Sequence, residues 1–398
     1  MKYWRGYLVA GIFLALSWAL HQFAQAHSIL IDMIYPYVTR IMINSLADWS
    51  GAMSFCLWQV LIVGMVLLGL VSIVLMIVLR WNPIQWLGWV LASVCLVSTL
   101  QVGIYGLNQY ASPLADDVGL TIADYNVTQL NGAAVFFRDK ANEYAKSVTR
   151  DKKGNPVFGT FEDLAQQASN GFQYLTYNKA ISVFSGSTAP VKKLSFNGAY
   201  TLRGDSGVTV ALTGEACVNP DVPTVALPFA MCKEIAHRMS IASDADAQFG
   251  GFLASIYNES PAFQYSGYLF AYRACYEALL SIPTSTAQAC AEETQRGVNE
   301  FLRSDLEDYV KFFGKISAAV NSRSVSQARA ADAGTQDPTE ETQAEPLITY
   351  SEYAGVVDLL TSWHIQEFVA PLHTEEEVVF DPLDPSQVDL SGIRSPAK

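Results

Sequence analysis

The sequence predicts a mostly α-helical membrane protein, in which N-terminal transmembrane helices carry a larger, mainly helical domain with a small β element. Three observations predict it. Up to Gly106 the charged residues are Lys2, Arg5, Asp32, Arg40, Asp48 and Arg80, and long apolar runs lie between them. Beyond that point the chain is rich in charge, mainly acidic. Its apolar residues there recur at helical spacing. The mean hydropathy of +0.19 is therefore an average over two unlike regions.

A helix needs about 20 apolar residues to cross a bilayer core. Residues 55–79 form such a run, uncharged and with Gln59 as its strongly polar member, and residues 84–105 form a second. The short link Arg80-Trp81-Asn82-Pro83 predicts a tight helical hairpin. The run at 7–26 is read as an uncleaved first helix, although Lys2 and Arg5 before it and Ala24-Gln25-Ala26 after it would also suit a cleavable signal peptide. Three alternating spans put Lys2, Arg5 and Arg80 on one side. Cytoplasmic flanks collect Lys and Arg, so the large domain is expected outside the cytoplasm of a multi-pass cell-membrane protein. The stretch Ile29–Leu46, apolar but interrupted by Asp32, Pro36 and Arg40, reads as a partly buried external loop with a short interfacial helix.

After this anchor (1–106), residues 107–321 read as one soluble domain, within roughly 290 residues that suffice for a sizeable core. Leu130, Ala133, Ala134, Phe137, Ala141, Tyr144 and Val148 mark one helix, and Phe161–Leu175 a weaker one. Glycines and β-branched residues at 193–219 suggest a short hairpin or irregular strands. Helices are expected near Leu227–Met239, Asp244–Tyr257 and Gln264–Leu280, then a long one at 287–321. Residues 322–346 lack large apolar side chains and predict a disordered loop. A final helix within 347–374 and an acidic tail at 375–398 complete the chain.

A net charge of -13 excludes nucleic acid as a partner class, because phosphate contacts need clustered Lys and Arg. The lipid bilayer is one partner, and a protein or peptide is the other that can be expected. Three spans without intramembrane charge offer no ion path. Of six cysteines, Cys56 and Cys95 read as packing residues within the spans. Cys275 and Cys290 flank a Ser281–Thr286 turn on two antiparallel helices, which predicts a disulfide across a helical hairpin. Cys217 with Cys232 is a weaker pairing of the same kind. None has metal-finger spacing.

The stretch with chemical content is Leu227-Pro228-Phe229-Ala230-Met231-Cys232-Lys233-Glu234-Ile235-Ala236-His237. Zinc peptidases carry H-E-x-x-H on a helix: two His four apart share a face and hold the metal, and the Glu polarises its water. Here Glu234 and His237 occupy the general-base and second-ligand positions, and Lys233 stands at the first. Alone, E-x-x-H arises by chance in many helices. Three further segments accompany it: Leu212-Thr213-Gly214-Glu215-Ala216-Cys217-Val218-Asn219 upstream, Asp244-Ala245-Asp246-Ala247-Gln248-Phe249 seven residues past His237, and Tyr265-Ser266-Gly267-Tyr268.

In this order the segments resemble a family of bacterial membrane proteins known as domain of unknown function 3810. That family has three N-terminal transmembrane helices, then T-G-E-A-x-x-N, L-P-F-T-x-x-H-E-x-x-H, E-D-E-A-N-F and Y-S-G-Y. The resemblance extends to Gly106-Leu107-Asn108-Gln109-Tyr110 and to Tyr353–Leu360. It implies a zincin-like domain related to membrane-bound metallopeptidases. The departures fall on the metal motif: Lys233 replaces the first His, Asp244 the third-ligand Glu, Asp246 the second Glu, Gln248 the Asn and Ser240 the usual Gly. A protonated amine is a poor zinc ligand at neutral pH. Cys232, about 140° from His237 around the helix, cannot stand in for it. The resemblance thus implies a catalytically inactive metallopeptidase homologue, a pseudoenzyme that binds or scaffolds and needs no cofactor. The other reading is an active zinc metallopeptidase with an altered ligand set. Glu215, Tyr265 and Tyr268 enter as further site candidates.

Overall fold

In the computed structural model the described residues are 4–122, 124–313 and 355–369. The loop expected at 322–346 and the tail at 375–398 lie outside them. Among the described residues, three helices are long and apolar enough to cross a membrane: α1 (Arg5–Ala26), α3 (Leu57–Val78) and α4 (Pro83–Ile104). Pro83 opens α4, where a missing N–H costs nothing, and the Asn82 side chain accepts from the Ile84 and Gln85 amides at 3.0 and 3.2 Å. α1 and α4 run parallel. Gly6 lies against the Gly88 backbone, Ala10 packs with Ala92 and Cys95, and Thr99 donates to the Phe13 carbonyl at 3.1 Å. Arg5 and Arg80 therefore come to the same end. The tight turn between α3 and α4 exists, but α3 buries only Gln59 along its 22 residues. Near the turn, Trp86 Nε1 donates to Ser72 Oγ at 3.1 Å.

The expected external loop is a single helix, α2 (Ser28–Gly51), which carries Pro36 inside it. The correction has a physical cause. Ile31, Thr39, Ile43, Ala47 and Ser50 form a buried stripe at near-fourfold spacing. Polar side chains along the helix find partners in the domain. Asp32 accepts from the Ser112 amide at 2.7 Å, Arg40 donates to the Ser182 carbonyl at 2.9 Å, and Asp48 accepts from Ser187 Oγ at 2.5 Å. Gly214 sits at φ 68° directly on the α2 backbone between Ile43 and Ala47, where a Cβ would collide. On the opposite face Ile29, Met33, Ile34, Tyr37, Ile41 and Trp49 are uncovered by protein.

The domain's core is built on α6 (Val127–Ser147) and α12 (Pro261–Ser281), with α10 (Leu227–Arg238) and α11 (Asp244–Ile256) packed beside them. A capping box closes the start of α6: the Asn126 side chain takes the Gln129 amide and Gln129 returns the bond. Short helices α5 (Leu114–Val118), α7 (Phe161–Gln167), α8 (Asn170–Asn178) and α9 (Gly198–Arg203) fill the connections. The long helix expected from 287 is two helices, α13 (Ser285–Arg296) and α14 (Glu300–Phe313). A helix α15 (Val356–His364) is buried along its length, with Trp363 stacked on Phe137 at 6.0 Å. The β element is a three-stranded sheet in the order β1 (Lys192–Lys193), β3 (Glu215–Val218), β2 (Gly207–Val210). β2 and β3 form the expected hairpin and β1 pairs parallel to β3.

The cysteine pairings are also corrected. Cys275 is a free, fully buried thiol on α12, aimed at Thr361 of α15 and not at Cys290. Cys232, a buried free thiol on α10, lies 3.6 Å from the Ala168 carbonyl. Cys217 instead meets Cys56, which caps the start of α3 rather than packing inside the span.

Candidate functional site

The end of α10, the start of α11, strand β2 and the end of α4 bring together Lys233, Glu234, His237, Asp244, Thr209 and Tyr105. Pro228 in the first turn of α10 and the Phe229 amide, which donates to Ser266 Oγ at 3.0 Å, fix where this helix begins. Spacing on α10 then puts Lys233 and His237, four apart, on one face. Ser243 caps α11, accepting from the Asp246 amide at 3.3 Å, and delivers Asp244 opposite them.

Lys233 Nζ stands 2.7 Å from Asp244 Oδ1, and His237 Nε2 stands 3.5 Å from the same oxygen. Gln248 Nε2 donates to the other carboxylate oxygen at 2.6 Å. Burial works against the Lys233 charge, but Glu234 and Asp244 outweigh it and hold the ammonium above its ordinary value. Burial alone would raise Asp244. The hydrogen bond from His237 and the charge and hydrogen bond of Lys233 prevail and hold it well below the usual carboxylate range. Glu234 is buried, turned to β2, and accepts from Thr209 Oγ1 at 2.9 Å.

Tyr105 was not legible as a site residue. An aromatic at the end of an apolar run reads as a membrane-interface residue. Its hydroxyl donates to the Ile241 carbonyl at 3.0 Å and lies 3.3 Å from His237 Nδ1, which itself is 2.9 Å from Ile241 O. Burial, with help from Glu234 and Asp244, pushes the phenol upward, so it stays a neutral donor. The imidazole is thus oriented by a residue of the α4 terminus, with Nε2 facing Asp244. Between them, Ser240 takes φ 71°, left-handed backbone that explains why glycine suits this position, and its Oγ lies 3.1 Å from Thr39 Oγ1 of α2.

The other sequence candidates are not brought to this cluster. Asp246 points to a separate cavity of about 700 Å³ that also receives Asp32, Arg40 and Asp117; burial pushes its carboxyl up to about 6. Tyr265 donates to Asp305 at 2.5 Å, within a buried group in which Arg150 also holds Asp305 at 2.7 Å. Tyr268 stacks on Tyr144 with centroids 5.6 Å apart. Glu215 holds the apolar helix α3: its two carboxylate oxygens accept from the Leu57 and Trp58 amides at 2.7 and 2.9 Å, and Lys192 Nζ pairs with it at 2.6 Å. Tyr265-Ser266-Gly267-Tyr268 and Thr213-Gly214-Glu215 are therefore explained by packing and anchoring.

The donor set does not fit a zinc ion. An ammonium donates and cannot accept, and it fills the first ligand position. Glu234 is turned away to Thr209. Among the described residues no three His, Cys, Asp or Glu side chains converge as a metal-binding group. What remains is a partly exposed cluster with a fixed cation, a fixed anion and an oriented imidazole.

No curated protein matches this chain, and no solved structure does. A family model described as a protein of unknown function (DUF3810) matches residues 32–326, from the first turns of α2 past α14. The match spans the anchor helices α3 and α4, the sheet and the Lys233–Asp244 cleft, so the chain belongs to the DUF3810 family.

Proposed function

We propose that this is a membrane-anchored, zincin-like pseudoenzyme whose domain lies outside the cytoplasm and binds or scaffolds a protein or peptide. The observation that carries the reading is the Lys233 Nζ to Asp244 Oδ1 contact of 2.7 Å. A site arranged around a dication leaves mutually repelling carboxylates when the metal is lost. An ammonium at the first ligand position neutralises Asp244 and ties α10 to α11, which keeps the cleft formed without a metal. The shared end of Arg5 and Arg80 supports the outside placement of the domain.

Metal analysis of the full-length protein in detergent, paired with hydrolysis of an unstructured protein substrate, tests the reading. The expected result is far less than one zinc per chain and no hydrolysis, with zinc uptake gained in Lys233→His. Stoichiometric zinc in the unaltered protein would overturn it and favour an active peptidase with an altered ligand set.

A further inference from the structure

Cys56 and Cys217 are separated by 161 positions in sequence, yet their Sγ atoms are 3.1 Å apart. That is about 1 Å beyond a disulfide bond of about 2.05 Å. Cys56 occupies the N-cap position of α3, its thiol also 3.2 Å from the Lys193 carbonyl, and Cys217 lies on β3, two residues past Glu215. Both are buried, under Leu194 and Trp58, with Trp58 Nε1 3.3 Å from the Cys217 sulfur. The ends they would join are already aligned by Glu215 and Lys192.

We infer that Cys56 and Cys217 are a disulfide-forming pair that staples α3 to the sheet. The co-reactant is a disulfide, either a small molecule such as oxidised glutathione or the active-site disulfide of a thiol oxidase. One protein thiolate attacks it and expels a thiolate, leaving a mixed disulfide. The second protein thiolate then attacks the protein sulfur of that bond and expels the other thiolate. Two protein S–H bonds and the reagent's S–S bond are lost, one protein S–S bond forms, and the two protons end on the departing reagent sulfurs, which leave as two thiols. Hydrogen bonding to Cys56 and burial hold the Cys217 thiol well above its ordinary pKa, which makes it inert once enclosed. The same burial shields the bond from reductants once it has formed.

Disulfides persist outside the cytoplasm, so bridging in cells rests on the placement proposed above, and the experiment separates the two. Full-length protein is taken from cells under acid quench, unfolded without reductant, labelled with maleimide and mapped by mass. Four of the six cysteines are expected to react, all six after reduction, and the two missing ones to appear as linked Cys56 and Cys217 peptides. In Cys56→Ser all five remaining thiols should react. A parallel sample is refolded in detergent with oxidised and reduced glutathione. A bridge there but not in cells upholds the pairing and overturns the outside placement. Both thiols labelled in both samples overturns the inference.

Discussion

Lys233 is 18% exposed and Asp244 55% exposed, so water screens their ion pair. Losing one member of a sealed pair costs about 3–5 kcal/mol, and a surface pair is worth under about 1. Lys233→Ala is therefore expected to lower stability by about 1–2 kcal/mol in denaturant unfolding of the detergent-solubilised protein. An unchanged midpoint would make Lys233 an ordinary surface lysine. Asp246 gives the opposite pH response to a paired carboxylate. Its folded pKa, about 6, lies above the unfolded value, so the folded state binds the proton more tightly. Its contribution is complete below about pH 4 and is lost as pH rises through about 6. Asp246→Asn should remove this slope and stabilise the protein by on the order of 2 kcal/mol above pH 6, seen as a raised Tm between pH 6.5 and 8. A Tm difference that does not vary between pH 4.5 and 8 would refute the assignment.

At the scale of elements, Glu215 is the joint between the domain and the apolar helix α3. It satisfies two of the orphan amides at the start of α3 and neutralises the buried Lys192. Glu215→Ala strips both and leaves a buried ammonium, at an expected cost of about 3–5 kcal/mol. Glu215→Gln should cost less, since its amide oxygen still accepts one amide. Limited proteolysis near Phe55 reports release of the helix, and equal resistance in all three proteins would refute the joint. The helices of the core were legible from periodicity, because each faces one apolar interior. α2 was not. It serves two different neighbours, with the protein on one side and an apolar face on the other, so it matches neither a span nor a soluble amphipathic helix. The cleft was legible on α10 and α11 because its residues are close in sequence. Tyr105 and the Cys56–Cys217 contact were hidden because they depend on how the anchor docks.

Across the whole molecule, the parallel α1 and α4 set one charge-bearing end and deliver Tyr105 at the other. A cysteine at exposed Lys153, introduced as Lys153→Cys in a Cys290→Ser background, should react with an impermeant maleimide in intact cells. The remaining native thiols are buried and silent. Labelling only after lysis would put the domain in the cytoplasm. The grip on α3 has a mechanical consequence. Held at its first turn and bare along its shaft, the helix acts as a lever with its fulcrum at Glu215. Any force that tilts the shaft would fall first on β3. The next strand over is β2, whose Thr209 hydroxyl holds Glu234, so the Lys233–Asp244 cluster lies one ladder of hydrogen bonds from the foot of α3.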